Sequence, residues 1–95
     1  MKLKFDRLII DQEPKSLLFT SEPYVVHTKA GFTVAADVLF SYKNIKLDKS
    51  LLLSAQSLSE EILKRMMENN NSLCGVEVWV YKSGPERTSK YMVED

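Results

Sequence analysis

The chain has 95 residues, and its 13 basic and 13 acidic side chains cancel to a formal net charge of zero at pH 7. This length allows one domain, which we expect to span residues 1–95. The zero net charge argues against a dedicated nucleic-acid-binding protein, which usually carries a basic excess, and it favours self-association because charge repulsion between copies is weak.

The first segment, Lys2 to Ile10, alternates polar and apolar residues before it ends in an apolar run, which predicts a strand entering the core. Turn residues follow at 11–14. Residues 16–20 form a short apolar segment that Pro23 closes, and residues 16–26 are interpreted either as an edge strand or as a loop covering a sheet face. The chain shows no apolar run of signal-peptide or membrane-spanning length, so we expect a cytoplasmic protein without membrane contact.

Residues 24–42 are typical of a β-hairpin. Two β-rich runs flank Lys29-Ala30-Gly31, where Gly31 can supply the positive φ of a turn. The second arm alternates from Phe32 to Tyr42 and is long for a strand, which predicts a bulge or bend near Ala35-Ala36. Residues 43–46 are expected to be a polar linker.

An amphipathic stretch from Asp48 to Met67 predicts one long helix. Its apolar residues fill one half of the helical wheel and its charged residues the other. Asp48 is the expected N-cap, with Leu47 and Leu52 as a hydrophobic staple, and the asparagines at 69–71 are expected to end the helix. The polar half carries mixed charge, which favours packing on a sheet over binding to a membrane surface.

Residues 75–82 alternate again and predict a strand, with the valines at 76, 78 and 80 on one face and Glu77, Trp79 and Tyr81 on the other. The turn at 83–86 and the returning arm at 87–93 complete a second hairpin. We therefore predict an α+β fold, a mainly antiparallel sheet of four or five strands with one long helix packed on one face, in the order β-(β)-β-β-α-β-β. The helix is expected to cover the face of Phe32, Val34, Val38 and Phe40 and the valine face.

No catalytic constellation is visible. His27 is the one histidine and Cys74 the one cysteine, and no flanking signature supports a nucleophile pair between them. The acidic residues do not have the spacing of a metal site, and the three glycines do not form a phosphate loop. We expect no enzyme activity, no cofactor, no metal and no small-molecule substrate.

A single helix cannot cover both faces of a sheet, so the other face becomes the expected binding surface. Trp79 and Tyr81 are expected to anchor it, with Leu39 and Leu8 beside them. The predicted role is a protein-interaction module that binds a protein partner or itself, as a homodimer, through this face or an edge strand. The alternative is a module for single-stranded nucleic acid that stacks bases on the same aromatic rings and binds phosphates through Lys82, Arg87 and Lys90.

Overall fold

A computed structural model describes residues 2–95 of the chain. It contains one antiparallel sheet of six strands and one helix, so the predicted α+β class is confirmed, with more strands than the four or five expected. In chain order the elements are β1 (Lys15–Phe19), β2 (Tyr24–Thr28), β3 (Gly31–Tyr42), β4 (Ile45–Leu52), α1 (Gln56–Glu68), β5 (Glu77–Lys82) and β6 (Tyr91–Glu94).

The long strand β3 organises the sheet. Ala35 is paired with Tyr24 of β2 on one edge and with Leu52 of β4 on the other. Strand β1 pairs with the same edge of β3 as β2 does, further along the strand, where Phe19 lies opposite Val38. Strands β5 and β6 extend the sheet beyond β1. Strands β1 and β2 are therefore two parts of one interrupted strand, with residues 20–23 between them.

The hairpin predicted for residues 24–42 is confirmed as β2 and β3, and Gly31 has the expected positive φ of 114°. The 12 residues of β3 pair with β2 and β4 in an unbroken register through Ala35 and Ala36, so the bulge predicted there does not form.

The helix prediction is wrong over residues 48–55. Residues 48–52 belong to β4, which pairs with β3 from Ile45 to Leu52, and α1 begins after Ala55 rather than Asp48. The segment alternates as well as it fits a helical wheel, and pairing along eight residues of β3 outweighs the small differences in helix propensity. Neither the Asp48 cap nor the hydrophobic staple forms.

The predicted linker at 43–46 is also wrong, because it contains a tight turn. Lys43 and Asn44 both have positive φ, at 47° and 64°, and they connect Tyr42 directly to Ile45. Two successive residues of this conformation form the turn whose twist suits a two-residue β-hairpin. The turn directs β4 back along β3.

The strand predicted from Lys2 to Ile10 is wrong, because the N-terminal segment forms only one bridge, between Arg7 and Ser50. The Leu8 N–H donates to the Ser50 carbonyl and the Ser50 N–H to the Asp6 carbonyl, at 2.8 and 3.0 Å. The segment thereby covers part of the free edge of β4. Leu8 and Ile10 enter the core, each 6% exposed, so the placement of Leu8 on a binding surface is wrong.

Helix α1 packs on one face of the sheet, called here the inner face, and the opposite one is the outer face. Leu58 and Ile62 are buried against the core, and the valines of β5 face inward as predicted. The helix does not cover the whole expected face, because Phe32 and Val34 remain exposed. The core side chains are Leu8, Ile10, Leu17, Phe19, Ala36, Val38, Leu51, Leu53, Leu58, Ile62, Leu73, Val76, Val78 and Val80.

The helix ends where the asparagines predicted, at Glu68, and Asn70 and Asn71 adopt positive φ. Within the described residues, no helix is long and apolar enough to cross a membrane.

Candidate functional site

An apolar groove lies on the inner face between the C-terminal half of α1 and the β2–β3 hairpin. We call it the α1–β2 groove. It encloses about 450 Å³, and apart from Ser59 and Glu60 its lining is apolar. The apolar lining residues are Pro23, Val34, Leu53, Ile62, Leu63, Met66 and Leu73.

The groove exists because the helix lies toward the β6 edge of the sheet. The Ser57 hydroxyl accepts from the Tyr91 N–H and Arg65 donates to the Val93 carbonyl, at 3.2 and 3.3 Å, and the close backbone contacts of α1 with the sheet are those with β6. Strand β2 and the beginning of β3 lie at the other end of the strand order. The inner face is therefore left open at that end of the sheet.

Large apolar side chains surround the groove on both sides. Phe32 is 78% exposed at the end of the hairpin, and Val25 and Val34 lie on the same face of β2 and β3. Across the groove, the helix exposes Leu63 and, one turn later, Met67, which is 64% exposed. Val34 and Leu63 line the groove, so apolar surface is exposed on both of its sides, which in small proteins marks an interaction site.

The sequence did not identify this surface, because it predicted that the helix would cover Phe32 and Val34. Leu63 and Met67 were assigned to the packing half of the wheel. They are four residues apart and lie toward one margin of that half, whereas the buried Leu58 and Ile62 lie toward the opposite margin. An apolar arc of half a wheel is wider than one sheet contact can bury, and this was the available signal.

The outer face carries the predicted anchor Trp79, which is 46% exposed. Tyr81 is half-buried on the same face, and its hydroxyl donates to Glu94 at 3.0 Å, which raises the pKa of Tyr81. Leu39 lies two strands away, opposite Leu18 of β1. Trp79 itself lies between Ser16 and Glu94 in the register, so polar side chains interrupt the apolar area of this face.

The basic residues of the nucleic-acid alternative lie away from Trp79 and Tyr81, the two rings predicted to stack bases. The Nζ of Lys82 lies 5.3 Å from the ring centroid of Tyr91, its inner-face partner in β6. Arg87 and Lys90 line a cleft of about 490 Å³ between the β5–β6 loop and the start of α1. Trp79 and Tyr81 face the outer side, so the structure does not bring the rings and these cations onto one surface.

A buried polar cluster fastens the N-terminal segment to the outer face. The Asp37 carboxylate, 3% exposed, accepts hydrogen bonds from the hydroxyls of Tyr24 and Ser50 at 2.6 and 2.8 Å. The Phe5 N–H donates to the Ser50 hydroxyl and the Lys4 N–H to the Tyr24 hydroxyl, at 2.9 and 3.3 Å. These hydrogen bonds satisfy the buried Asp37 carboxylate, so a structural role accounts for its burial.

Glu22 holds the loop after the helix. Its carboxylate accepts hydrogen bonds from the Leu73 N–H, the Ser72 hydroxyl and the Cys74 N–H at 2.8, 2.6 and 3.3 Å. These donors, the Leu73 N–H first, lower the pKa of Glu22 from 4.5 to about 2. The same carboxylate raises the pKa of the exposed Cys74 thiol, which disfavours the reactive thiolate.

The other candidate of the sequence, His27, stacks its ring on Phe32 with centroids 4.8 Å apart. Cys74 lies beside Glu22, to which its N–H donates. His27 and Cys74 therefore each contact a neighbouring side chain of the fold. Residues 2–95 contain no group of three or more metal-ligating side chains that could hold an ion.

No protein-family model matches the chain, and neither a curated protein nor a solved structure is similar enough to give a match.

Proposed function

We propose that this protein is a non-catalytic interaction module that binds a protein surface, on a partner or on a second copy, through the α1–β2 groove. The observation that carries the proposal is the apolar groove with exposed apolar side chains on both sides: Val34 and Leu63 line it, and Val25, Phe32 and Met67 are exposed on the same elements. Burial of such a surface stabilises a complex by roughly 25 cal/mol per Å² of apolar area, before the costs of association are subtracted.

The helix-free outer face stays a second contact surface within the same proposal. Trp79 and Met92 are partly exposed there, and aromatic residues are enriched at binding hot spots. The groove is favoured because its apolar residues adjoin one another, whereas Ser16 and Glu94 flank Trp79.

The proposal that the module is non-catalytic rests on the pKa of Cys74, the candidate nucleophile. The pKa of Cys74 is raised by the carboxylate next to it, and an activated cysteine needs the opposite shift. A free, exposed cysteine also fits a reducing compartment, and the cytoplasm is the location that we propose.

The proposal is tested by affinity capture from the native host with three forms of the protein. Phe32→Asp places a charge on the apolar surface beside the groove, and Ile45→Asp places the same charge on another exposed apolar residue, in the β3–β4 hairpin. We expect Phe32→Asp to lose the proteins that wild type and Ile45→Asp retain, as measured by quantitative mass spectrometry. Identical protein sets from all three forms would contradict binding at the groove.

Single-stranded nucleic-acid binding is the alternative, and the same preparations test it. It requires retention on a polyanion column that weakens with salt and that is lost when Lys82, Arg87 and Lys90 are replaced by Gln. We expect no such retention, because the basic residues and the exposed rings lie on different faces.

A further inference from the structure

Among the described residues, the sheet has three strands with a free edge, and two of these edges are protected. On β6 the Tyr91 N–H donates to the Ser57 hydroxyl, and the Val93 carbonyl accepts from Arg65, at 3.2 and 3.3 Å. Helix α1 therefore closes that edge. On β4 the N-terminal segment pairs at Ser50, and the remainder carries charged side chains at 46, 48 and 49, which oppose the pairing of strands.

The free edge of β2 has no such protection. Its five residues, Tyr24 to Thr28, include no side chain that is charged when the histidine is neutral, and no bulge or proline lies within them. No element of the described chain is hydrogen-bonded to the edge that faces away from β3. Exposed backbone edges of this kind are templates for another strand.

The hydrogen bonds on the two edges of β3 determine which N–H and C=O groups of β2 point outward. The Thr20 N–H binds the Asp37 carbonyl on the β1–β2 edge, and the Leu53 N–H binds the Val34 carbonyl on the β4 edge. Odd-numbered residues of β3 therefore turn their N–H and C=O groups toward β2. Their partners are Tyr24, Val26 and Thr28, so the N–H and C=O groups of Val25 and His27 point outward.

We propose that β2 pairs antiparallel with β2 of a second copy, in a two-fold symmetric dimer centred on Val26. Val25 of each copy then lies opposite His27 of the other, and the outward N–H and C=O groups form four hydrogen bonds. The inference rests on the proposed function and names the second copy as the partner. No two like charges face each other in this register, and the net charge of zero leaves little long-range repulsion.

The same arrangement covers the apolar surface. A two-fold axis perpendicular to the sheet keeps both helices on the same side, so the two α1–β2 grooves adjoin across the new strand pair. Val25 and Phe32 of one copy approach the corresponding surface of the other, together with Leu63 and Met67 at the margin. Backbone pairing and apolar burial are therefore supplied by one continuous region.

The test measures the mass of the full-length protein by light scattering over a range of concentrations. We expect the mass to rise from the 10.9 kDa of one chain to twice that value. Val25→Pro removes an N–H that makes no bond within the chain and should raise the dimer Kd about tenfold or more, since both copies lose a hydrogen bond. Lys46→Pro removes an equally outward N–H on β4 and should leave the Kd unchanged.

Amide hydrogen exchange gives a second readout that needs no variant. The amides of Val25 and His27 should become protected as the concentration rises, while the amide of Lys46 should not. A protein that stays monomeric, or a Val25→Pro form that dimerises like wild type, overturns the inference. A dimer lost in Leu63→Glu but kept in Val25→Pro also overturns strand pairing, yet it supports the proposed function, which the affinity capture decides independently.

Discussion

At the scale of single residues, two carboxylates link distant segments of the chain through hydrogen bonds. Asp37 accepts from Tyr24 and Ser50 beneath the N-terminal segment, and Glu22 gathers the donors of residues 72–74. Removing one partner from the buried Asp37 cluster leaves others unsatisfied, at about 1–3 kcal/mol for each group. The alternation of β3 placed Asp37 on the face opposite the helix, but its partners come from distant segments.

Glu22 makes the stability dependent on pH. Its folded pKa of about 2 lies below the ordinary 4.5, so the carboxylate stabilises the fold above pH 4.5, and this contribution is lost as the pH falls toward 2. We expect Glu22→Gln to unfold at lower urea concentration than wild type at pH 7, with the difference shrinking between pH 4.5 and 2. Glu86→Gln is the control, because it removes an exposed carboxylate in the β5–β6 loop, away from residues 72–74. A constant difference between the Glu22 variant and wild type would contradict this role.

At the scale of elements, the segment from Ile45 to Leu52 shows how tertiary pairing selects between two patterns. Its residues suit a helical wheel and a strand, and β3 provides eight pairing positions that only the strand can use. The turn that permits this pairing places Lys43 and Asn44 at positive φ. Asn tolerates that conformation, but Lys does not favour it, so the local signal for a hairpin was weak.

This turn predicts a stabilising substitution. Lys43→Asn combined with Asn44→Gly creates the dipeptide that two-residue hairpin turns favour, and both residues then accept positive φ at low cost. We expect the free energy of unfolding to rise by about 0.5–1 kcal/mol, measured by urea denaturation. The matched control is Lys49→Asn, within β4 and away from the turn. A loss of stability in the double variant would show that the turn has another conformation.

At the scale of the whole molecule, one short helix lies on a sheet that is larger than the helix. Leu58 and Ile62 are buried, while Leu63, next in the chain, is half exposed at the α1–β2 groove. The uncovered remainder of the inner face and the free edge of β2 lie side by side. Both proposals therefore concern the same end of the molecule.

Two alanine substitutions on neighbouring residues report how the helix sits. We expect Ile62→Ala to lower the free energy of unfolding by about 2–5 kcal/mol, because it leaves a cavity in the core. Leu63→Ala should change it by less than about 0.5 kcal/mol, because the side chain is exposed and alanine favours a helix. Urea denaturation at a concentration that keeps the chain monomeric separates the two, and equal losses would contradict this orientation of α1.

The sequence by itself was sufficient for the α+β class, the hairpin at 24–42, the inward valines of β5 and the end of the helix, because alternation, turn residues and asparagine caps act locally. It was not sufficient for β4, for the burial of Leu8, or for the groove. Those depend on which strand pairs with which, and on where the helix packs on the sheet. Long-range pairing decided where the chain extends, and the packing of α1 toward the β6 edge decided which apolar side chains stay in water.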